Sequence, residues 1–226
     1  IMTVDVSKGR GQDYSTFTVI DITTRPFSQV AVYRNNTISP ILFPEIIYKY
    51  AVSYNNAYVV VEANDQGGVV CNGLYYDLEY ENTHVSSLIK SSHIGVEMNR
   101  RTKRLGCSGF KDVLESGKLE LCDENTILEV STFIGKGQSY EASDGNHDDL
   151  VMNLVLFGYF VTSEQFLNLT DINVKDMMFS ERIRAIEDDV VPFGFIDTGA
   201  DAIAAYEATQ EDQDRYAWQV VHDPEF

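Results

Sequence analysis

Cysteine is scarce in this chain: Cys71, Cys107 and Cys122 are its only cysteines among 226 residues. Their number is odd and no two of them have the CxxC spacing, so the pattern favours reduced thiols over a disulfide framework or a zinc site. Reduced thiols are typical of a cytoplasmic protein, and we expect that environment here.

Long hydrophobic runs are also missing. The most apolar stretch, Leu150–Val161, is shorter than the roughly 20 residues that cross a bilayer, and no signal-peptide pattern is present. We therefore predict a buried core helix at this stretch and no membrane partner. Apolar residues make up 44% and aromatic residues 12% of the chain, which is typical of a folded globular protein.

Basic residues are few: 17 Lys and Arg stand against 35 Asp and Glu, for a net charge of −18. Binding to phosphate needs Lys and Arg, so the total charge argues against a nucleic-acid partner. The distribution weakens that objection, because twelve acidic residues and only three Arg follow from Glu181 onward. One stretch is basic, with a single acid, Glu97, among Lys90, Arg100, Arg101, Lys103, Arg104 and Lys111.

The first part of the chain predicts a sheet. Ile1–Ser7, Ser15–Thr23 and Gln29–Tyr33 have the alternation and β-branched residues of strands, and an antiparallel meander is the simplest topology. Phe43–Ser53 has apolar residues at helical spacing, and the continuous apolar run Tyr58–Val61 is typical of a buried central strand. Together these segments predict an α/β protein with a mixed sheet and helices on its faces.

Weaker patterns follow. We predict helices at Val69–Leu78, Gly109–Ser116 and Asn125–Ile134, strands at His84–Leu88 and Lys118–Cys122, and a polar loop at Lys136–His147.

The character of the chain changes beyond about Ser163. One polar helix is expected at Asp171–Ala185, within an acidic and partly flexible extension over residues 166–226. A domain over residues 1–165 precedes it. Because the chain starts at Ile1 with an immediate core strand and no initiator Met, we expect an excised domain whose N-terminal partner is absent.

Acidic residues at the ends of core elements carry the chemistry. Asp5 lies within the first strand, Glu62 ends the buried run, and Asp148 and Asp149 open the apolar helix. Carboxylates at the ends of neighbouring strands converge on one edge of a sheet, where a hard divalent cation offsets their like charge. Two such ions roughly 3.5–4 Å apart can activate water and stabilise the leaving oxygen of a phosphodiester. We therefore predict a Mg²⁺- or Mn²⁺-dependent phosphodiester-cleaving site, with His147 as a possible proton shuttle.

Basic residues near these acids are candidates for DNA contacts. Lys8 and Arg10 follow Asp5 in a Gly-containing turn, and Arg100, Arg101, Lys103, Arg104 and Lys111 form most of the basic stretch. Such residues contact the DNA backbone without reading base sequence. The same turn also fits the phosphate-binding hairpin of an actin-like or sugar-kinase-like phosphotransferase, for which Asn64–Gly68 is the nearest second phosphate loop. A non-catalytic docking module that uses the acidic extension is the third interpretation.

Several stretches together resemble one known family. They are Thr3–Ser7 with Gly9, Asp13–Ser15, Ala31–Pro40, Tyr58–Ala63, Tyr75–Asn82, Lys103–Cys107 and His147–Met152. Across about residues 1–165 the chain is similar to the C-terminal nuclease domain of the large terminase subunit of T-even-like tailed bacteriophages.

This resemblance implies a ribonuclease H-like fold of the RuvC type, with three antiparallel strands followed by parallel strands. It also implies that Asp5, Glu62 and one of Asp148 or Asp149 are the catalytic acids; we favour Asp149. Such domains cut concatemeric double-stranded DNA with little sequence preference, to initiate and terminate headful packaging. Expected partners are DNA, an N-terminal packaging ATPase domain, the portal protein and the small terminase subunit. The expected location is the cytoplasm of the infected bacterium, transiently at the portal vertex of the procapsid.

Overall fold

The structure is a computed structural model, and it describes residues 1–88, 91–136, 139–143, 145–170 and 219–221. Ten strands and six helices follow one another in the described part. In chain order they are β1 (Met2–Asp5), β2 (Ser15–Asp21), β3 (Phe27–Asn35), α1 (Phe43–Ser53), β4 (Val59–Val61), α2 (Gly67–Asn72), β5 (Val85–Leu88), β6 (Ser91–Ile94), α3 (Arg100–Glu115), β7 (Leu119–Glu120), α4 (Glu124–Thr132), β8 (Phe133–Lys136), β9 (Ser139–Ala142), α5 (Asp149–Val161), α6 (Glu164–Thr170) and β10 (Gln219–Val221).

A six-stranded mixed sheet forms the centre of the molecule. Its main path is β10-β3-β2-β1-β4, and β7 pairs with β3. β1, β2 and β3 are antiparallel neighbours, which confirms the predicted meander, and β4 runs parallel to β1. β10 was not predicted; it pairs in parallel with β3, within the segment expected to be an acidic extension. The helix predicted at Asp171–Ala185 lies outside the described residues.

Helices cover both faces of this sheet, as predicted. Successive side chains of a strand point to opposite faces, and in β4 this places Val59 and Val61 in one core cluster and Val60 in the other. The first cluster packs against α1 and α2, through buried residues such as Phe43 and Val70. The second packs against α3 and α5, so α5 is buried between the sheet and α3.

The α3 helix is twice as long as the sequence predicts. We expected a helix at Gly109–Ser116, but α3 begins at Arg100, after Asn99 caps it. Gly106 and Gly109 lower helix propensity, which is why the sequence pattern understates this helix. Both glycines instead allow close packing on α5, because a Cβ at either position would overlap backbone atoms of Val155 or Gly158.

The predicted polar loop at Lys136–His147 is partly wrong. β8 and β9 form an antiparallel hairpin there. The helix predicted at Asn125–Ile134 ends at Thr132, and β8 begins at the next residue, Phe133. Strands of four residues that pair only with each other have too short an alternation for sequence periodicity to detect. The helix predicted at Val69–Leu78 begins earlier, at Gly67, and continues into a π-helical turn at Gly73–Asp77.

No single helix in the described part is long and apolar enough to cross a membrane. The helices Asp149–Val161 and Glu164–Thr170 meet the length and composition criteria only as a pair, and they are bent by 84° relative to each other.

Stability is expected to depend on pH through His84, which is buried next to the sheet. The Tyr58 hydroxyl lies 3.1 Å from its Nδ1 and the Ser86 hydroxyl 3.2 Å from its Nε2. Burial lowers the pKa of His84 to about 4. Between pH 6.5 and 4 the unfolded chain therefore binds a proton that the folded chain does not, and up to about 3 kcal/mol of stability is lost as the pH falls.

Urea denaturation at pH 7 and pH 4.5 checks this for the wild type and for His84→Gln. The difference in unfolding free energy between the two proteins should shrink at the lower pH. An unchanged difference would show that His84 does not contribute to the acid sensitivity.

Candidate active site

Asp5 and Glu62 lie side by side at one edge of the central sheet. Asp5 is the last residue of β1, and Glu62 directly follows β4. The two strands are parallel, with Val4 opposite Val61, and the Glu62 N–H donates to the Val4 carbonyl oxygen at 2.9 Å. Both side chains therefore leave the sheet at the carboxyl ends of neighbouring strands, as the sequence predicts.

The start of α5 lies against the same edge. Thr16 pairs with Asp5 across β1 and β2, and its hydroxyl donates to the Asp149 carbonyl oxygen at 3.1 Å. The Asn153 side-chain amide donates in turn to the Thr16 oxygen at 2.9 Å. These buried bonds hold the first turn of α5 next to the strand that carries Asp5.

The four acids influence one another electrostatically. The pKa of Asp5 is raised well above its usual range, first by burial and then by the charges of Glu62, Asp149 and Asp148. Burial also raises the pKa of Glu62 to about 7; Lys103 opposes this increase, while Asp148 and Asp65 add to it. Like charges in a poorly solvated cleft disfavour ionisation, and such perturbed carboxyls are common at functional sites.

The surroundings of Asp149 differ from those of Asp5 and Glu62. Burial raises its pKa to about 6, the backbone N–H of Tyr14 lowers it through a hydrogen bond, and Glu129 raises it. Its Oδ2 atom is buried without a hydrogen-bond partner. His147 lies nearby, with Nδ1 3.6 Å from that oxygen. The predicted proximity of His147 to the acidic pair is therefore present, and its role in proton transfer stays a prediction.

The two members of the acidic pair differ in their surroundings. Asp148 acts electrostatically on both Asp5 and Glu62, whereas Asp149 acts on Asp5 and is influenced by Glu129 and His147. Asp148 is partly exposed and Asp149 is buried. Both members of the pair thus act on the strand carboxylates, and the preference for Asp149 as the ligand stays a prediction.

The residues present fit a divalent cation. No three His, Cys, Asp or Glu side chains of the described residues are already grouped closely enough to hold a metal ion. The donors at the sheet edge are nevertheless all carboxylate oxygens, the ligands that Mg²⁺ and Mn²⁺ prefer. The unpartnered Oδ2 of Asp149 and the raised pKa values of three neighbouring acids are two further signs that positive charge is favourable here.

The predicted DNA-contact residues fall into two places. Lys8 and Arg10 are exposed in the turn after β1. The other five lie on α3, where the spacing of Arg100, Arg104 and Lys111 puts these three on one exposed helix face. Lys111 also pairs with Glu115, at 3.7 Å. The remaining two α3 residues are Arg101 and Lys103.

Lys103 is closer to the acids than the sequence suggested. It is only partly exposed, and its charge lowers the pKa of Glu62. Its ammonium nitrogen lies 5.8 Å from the centre of the Phe133 ring. One basic residue of α3 therefore acts electrostatically on the acids at the sheet edge.

Three residues next to the site were missed by sequence reasoning. Glu129 of α4 is buried and accepts hydrogen bonds from the start of α5. Arg34 pairs with Glu129 at 3.2 Å and lies over the Tyr14 ring at 3.9 Å. Local pattern gives no signal for Glu129, because it lies in the middle of a polar helix. Arg34 and Tyr14 were noted only as parts of longer matching stretches.

A cavity of about 500 Å³ lies beside the acidic site, between α2, β6 and α3. Ala63, Cys71, Gly95 and Thr102 are among its lining residues, and none of the four acids lines it.

A family model and several solved structures are similar to this chain. A family model described as the terminase RNaseH-like domain matches residues 2–157, more than half of the chain. The large terminase nuclease from thermophilic phage G20c with bound cobalt is 23% identical, with a TM-score of 0.52, over 70% of this chain and 78% of that chain. The same nuclease with bound magnesium is 22% identical, with a TM-score of 0.51, over 70% and 80%.

A viral domain from a different host is similar in fold as well. The human cytomegalovirus terminase nuclease domain, soaked with manganese, is 10% identical, with a TM-score of 0.52, over 76% of this chain and 84% of that chain. At such identities the likeness concerns the fold alone. It confirms the ribonuclease H-like mixed sheet expected from the sequence.

Proposed function

The chain belongs to the terminase RNaseH-like domain family, and from this premise we propose that it is the metal-dependent endonuclease domain of a viral DNA-packaging terminase. In this function it cuts concatemeric double-stranded DNA, with little sequence specificity, to initiate and terminate headful packaging. The observation that carries the proposal is the placement of Asp5, Glu62, Asp148 and Asp149 at one sheet edge, where burial raises the pKa values of Asp5, Glu62 and Asp149 and the charges of the other three acids raise that of Asp5 further. The narrower resemblance to T-even-like phages stays a prediction.

The acidic site supplies the oxygen ligands in this proposal. Asp5, Glu62 and one or both of Asp148 and Asp149 would hold Mg²⁺ or Mn²⁺, with two ions when DNA is bound. Bound ions of this kind activate water and stabilise the leaving oxygen of a phosphodiester. Lys103 offsets part of the negative charge next to Glu62, which favours the approach of a phosphate to this edge.

The exposed basic residues would contact the DNA backbone on either side of the acids. Lys8 and Arg10 lie after β1, while Arg100, Arg101, Arg104 and Lys111 lie on α3. Backbone contacts of this type position DNA without reading its sequence, which agrees with cutting of low specificity.

The charge of the chain bears on how DNA is held, and the partners proposed here are those that the terminase resemblance implies. A net charge of −18 opposes tight binding of DNA by this domain alone. We therefore propose that an N-terminal packaging ATPase domain, the portal protein and the small terminase subunit hold the DNA. Cleavage would then take place in the cytoplasm of the infected bacterium, transiently at the portal vertex of the procapsid.

Cutting of supercoiled plasmid tests the proposal. The 226-residue chain is incubated with plasmid in Mg²⁺, in Mn²⁺ or in EDTA, and nicked and linear products are quantified. We expect cutting with either metal and none in EDTA, because carboxylate oxygens alone cannot stabilise the negative charge that develops on the phosphate.

Two results would contradict the proposal. One is cutting that persists in EDTA. The other is a folded chain that neither cuts DNA nor binds Mn²⁺ in calorimetric titration. Family membership favours the nuclease over the phosphotransferase and docking-module interpretations. A chain that transfers phosphate from ATP and does not cut DNA would instead support the phosphotransferase interpretation.

A further inference from the structure

The start of α5 is not capped by its own N-cap residue. An N-cap side chain normally accepts a hydrogen bond from the backbone N–H of the second or third helical residue. Asn99 does this for α3 and Asp123 does it for α4. Asp148 stands at the N-cap position of α5, and its carboxylate makes no such bond.

Glu129 of α4 takes these bonds instead. Its Oε2 atom accepts from the Leu150 N–H at 2.8 Å and lies 3.4 Å from the Val151 nitrogen. Leu150 and Val151 are the second and third residues of α5, and their N–H groups are the ones that an N-cap side chain would use. The capping carboxylate of α5 therefore comes from a residue that is 19 positions before Asp148 in the chain.

The positively charged side chain of Arg34 holds Glu129 in this position. Glu129 is only 7% exposed, and a buried carboxylate is unfavourable unless it is paired and hydrogen-bonded. Arg34, on β3, places Nη2 3.2 Å from Glu129 Oε1, and its guanidinium group lies 3.9 Å from the centre of the Tyr14 ring. The capping group is thus tied to the central sheet.

The opposite side of the same helical turn is also tied to the sheet. Thr16 donates to the Asp149 carbonyl oxygen, and Asn153 donates to Thr16. The first turn of α5 is therefore held from two directions, by α4 through Glu129 and by β2 through Thr16. Neither set of bonds uses the carboxylate of Asp148.

We propose that Glu129, anchored by Arg34, replaces Asp148 as the capping group of α5 and so leaves the Asp148 carboxylate free to bind a divalent cation. Glu129 is a positioning residue, because it contacts the helix that carries the ligands and not the cation. A carboxylate that caps its own helix has one oxygen engaged and its orientation set by the backbone. The inference rests on the proposed function only in assuming that the cation binds at this turn.

Calorimetric titration with Mn²⁺ tests the inference on the 226-residue chain. Glu129→Ala should weaken Mn²⁺ binding by about tenfold to a hundredfold, as is usual for residues that orient metal ligands. Glu129→Gln keeps an oxygen acceptor for the two N–H groups but loses the ion pair with Arg34, so its Mn²⁺ affinity should lie between those of Glu129→Ala and the wild type. Glu124→Ala, at an exposed position of the same helix, is the matched control and should bind like the wild type.

Amide hydrogen exchange at Leu150 and Val151, measured without metal, is the second readout. Exchange should accelerate in Glu129→Ala and stay slow in Glu129→Gln, because only the first variant removes the acceptor. Equal Mn²⁺ affinity of the wild type and Glu129→Ala would overturn the inference, and so would unchanged exchange. If Glu129→Ala does not fold, Arg34→Met removes the anchor instead, and unchanged Mn²⁺ affinity in that variant has the same consequence.

The two proposals fail in different ways. A folded wild type that binds no Mn²⁺ would overturn the metal site of the proposed function. The exchange rates at Leu150 and Val151 would still decide whether Glu129 caps α5. A wild type that binds Mn²⁺, together with a Glu129→Ala variant that binds it equally well, would overturn only the positioning role.

Discussion

Asp5→Asn is expected to reduce metal-dependent plasmid cutting by at least about a thousandfold, because a metal ion contributes several kcal/mol to stabilising the transition state of phosphodiester cleavage. The same substitution should raise the thermal midpoint of the metal-free chain at pH 8. The pKa of Asp5 is raised by burial and by three neighbouring acids, so its ionised form destabilises the fold. Asn keeps the shape of the side chain and removes that charge.

Glu62→Gln should likewise reduce plasmid cutting and raise the thermal midpoint of the metal-free chain, since burial raises the pKa of Glu62 as well. Cutting is measured on supercoiled plasmid in Mn²⁺, and unfolding is measured by calorimetry in EDTA. Asp112→Asn is a matched control: Asp112 is 76% exposed on α3 and pairs loosely with Lys118, at 3.9 Å. Full activity of Asp5→Asn, or an equal loss in Asp112→Asn, would show that the acids at the sheet edge are not the site. Active sites commonly trade stability for function in this way.

Gly158→Ala should lower the free energy of unfolding by about 3 kcal/mol, as expected for overpacking of a close helix contact. A Cβ at Gly158 of α5 would overlap the Gly106 carbonyl oxygen and the Phe110 backbone nitrogen of α3. Backbone atoms cannot rotate away as a flexible side chain can, so the two helices must separate. Because α5 also carries Asp148 and Asp149, weaker Mn²⁺ binding should accompany the loss of stability.

Urea denaturation measures this effect, with Gly68→Ala as the control. In α2 the nearest atom to a new Cβ at Gly68 is the Ala63 carbonyl oxygen, at 3.7 Å, which is an ordinary contact. Ala also has a higher helix propensity than Gly, so this variant should be as stable as the wild type or slightly more stable. A Gly158→Ala protein within about 1 kcal/mol of the wild type would contradict the overpacking argument.

Sequence patterns located the elements that are buried on both faces. β1, β2, β3, β4 and α5 all have apolar or alternating runs, since the core surrounds them on two sides. β1 ends at Asp5, Glu62 follows β4 and α5 begins at Asp149, so the sequence also indicated which carboxylates would meet. The structure adds the physical link: parallel pairing of β1 with β4, and the bond from Thr16 to Asp149, join three separate segments at one edge.

The sequence by itself determined strands β1 to β4 of the central sheet, its buried helix and the candidate acids, because each of these depends on a local pattern of apolar and charged residues. The tertiary structure alone decided the length of α3, whose Gly106 and Gly109 oppose helix formation locally but permit close contact with α5. It also decided the capping of α5 by Glu129 and the approach of Lys103 to Glu62. These features join residues far apart in the chain, and periodicity and local propensity contain no information about such contacts.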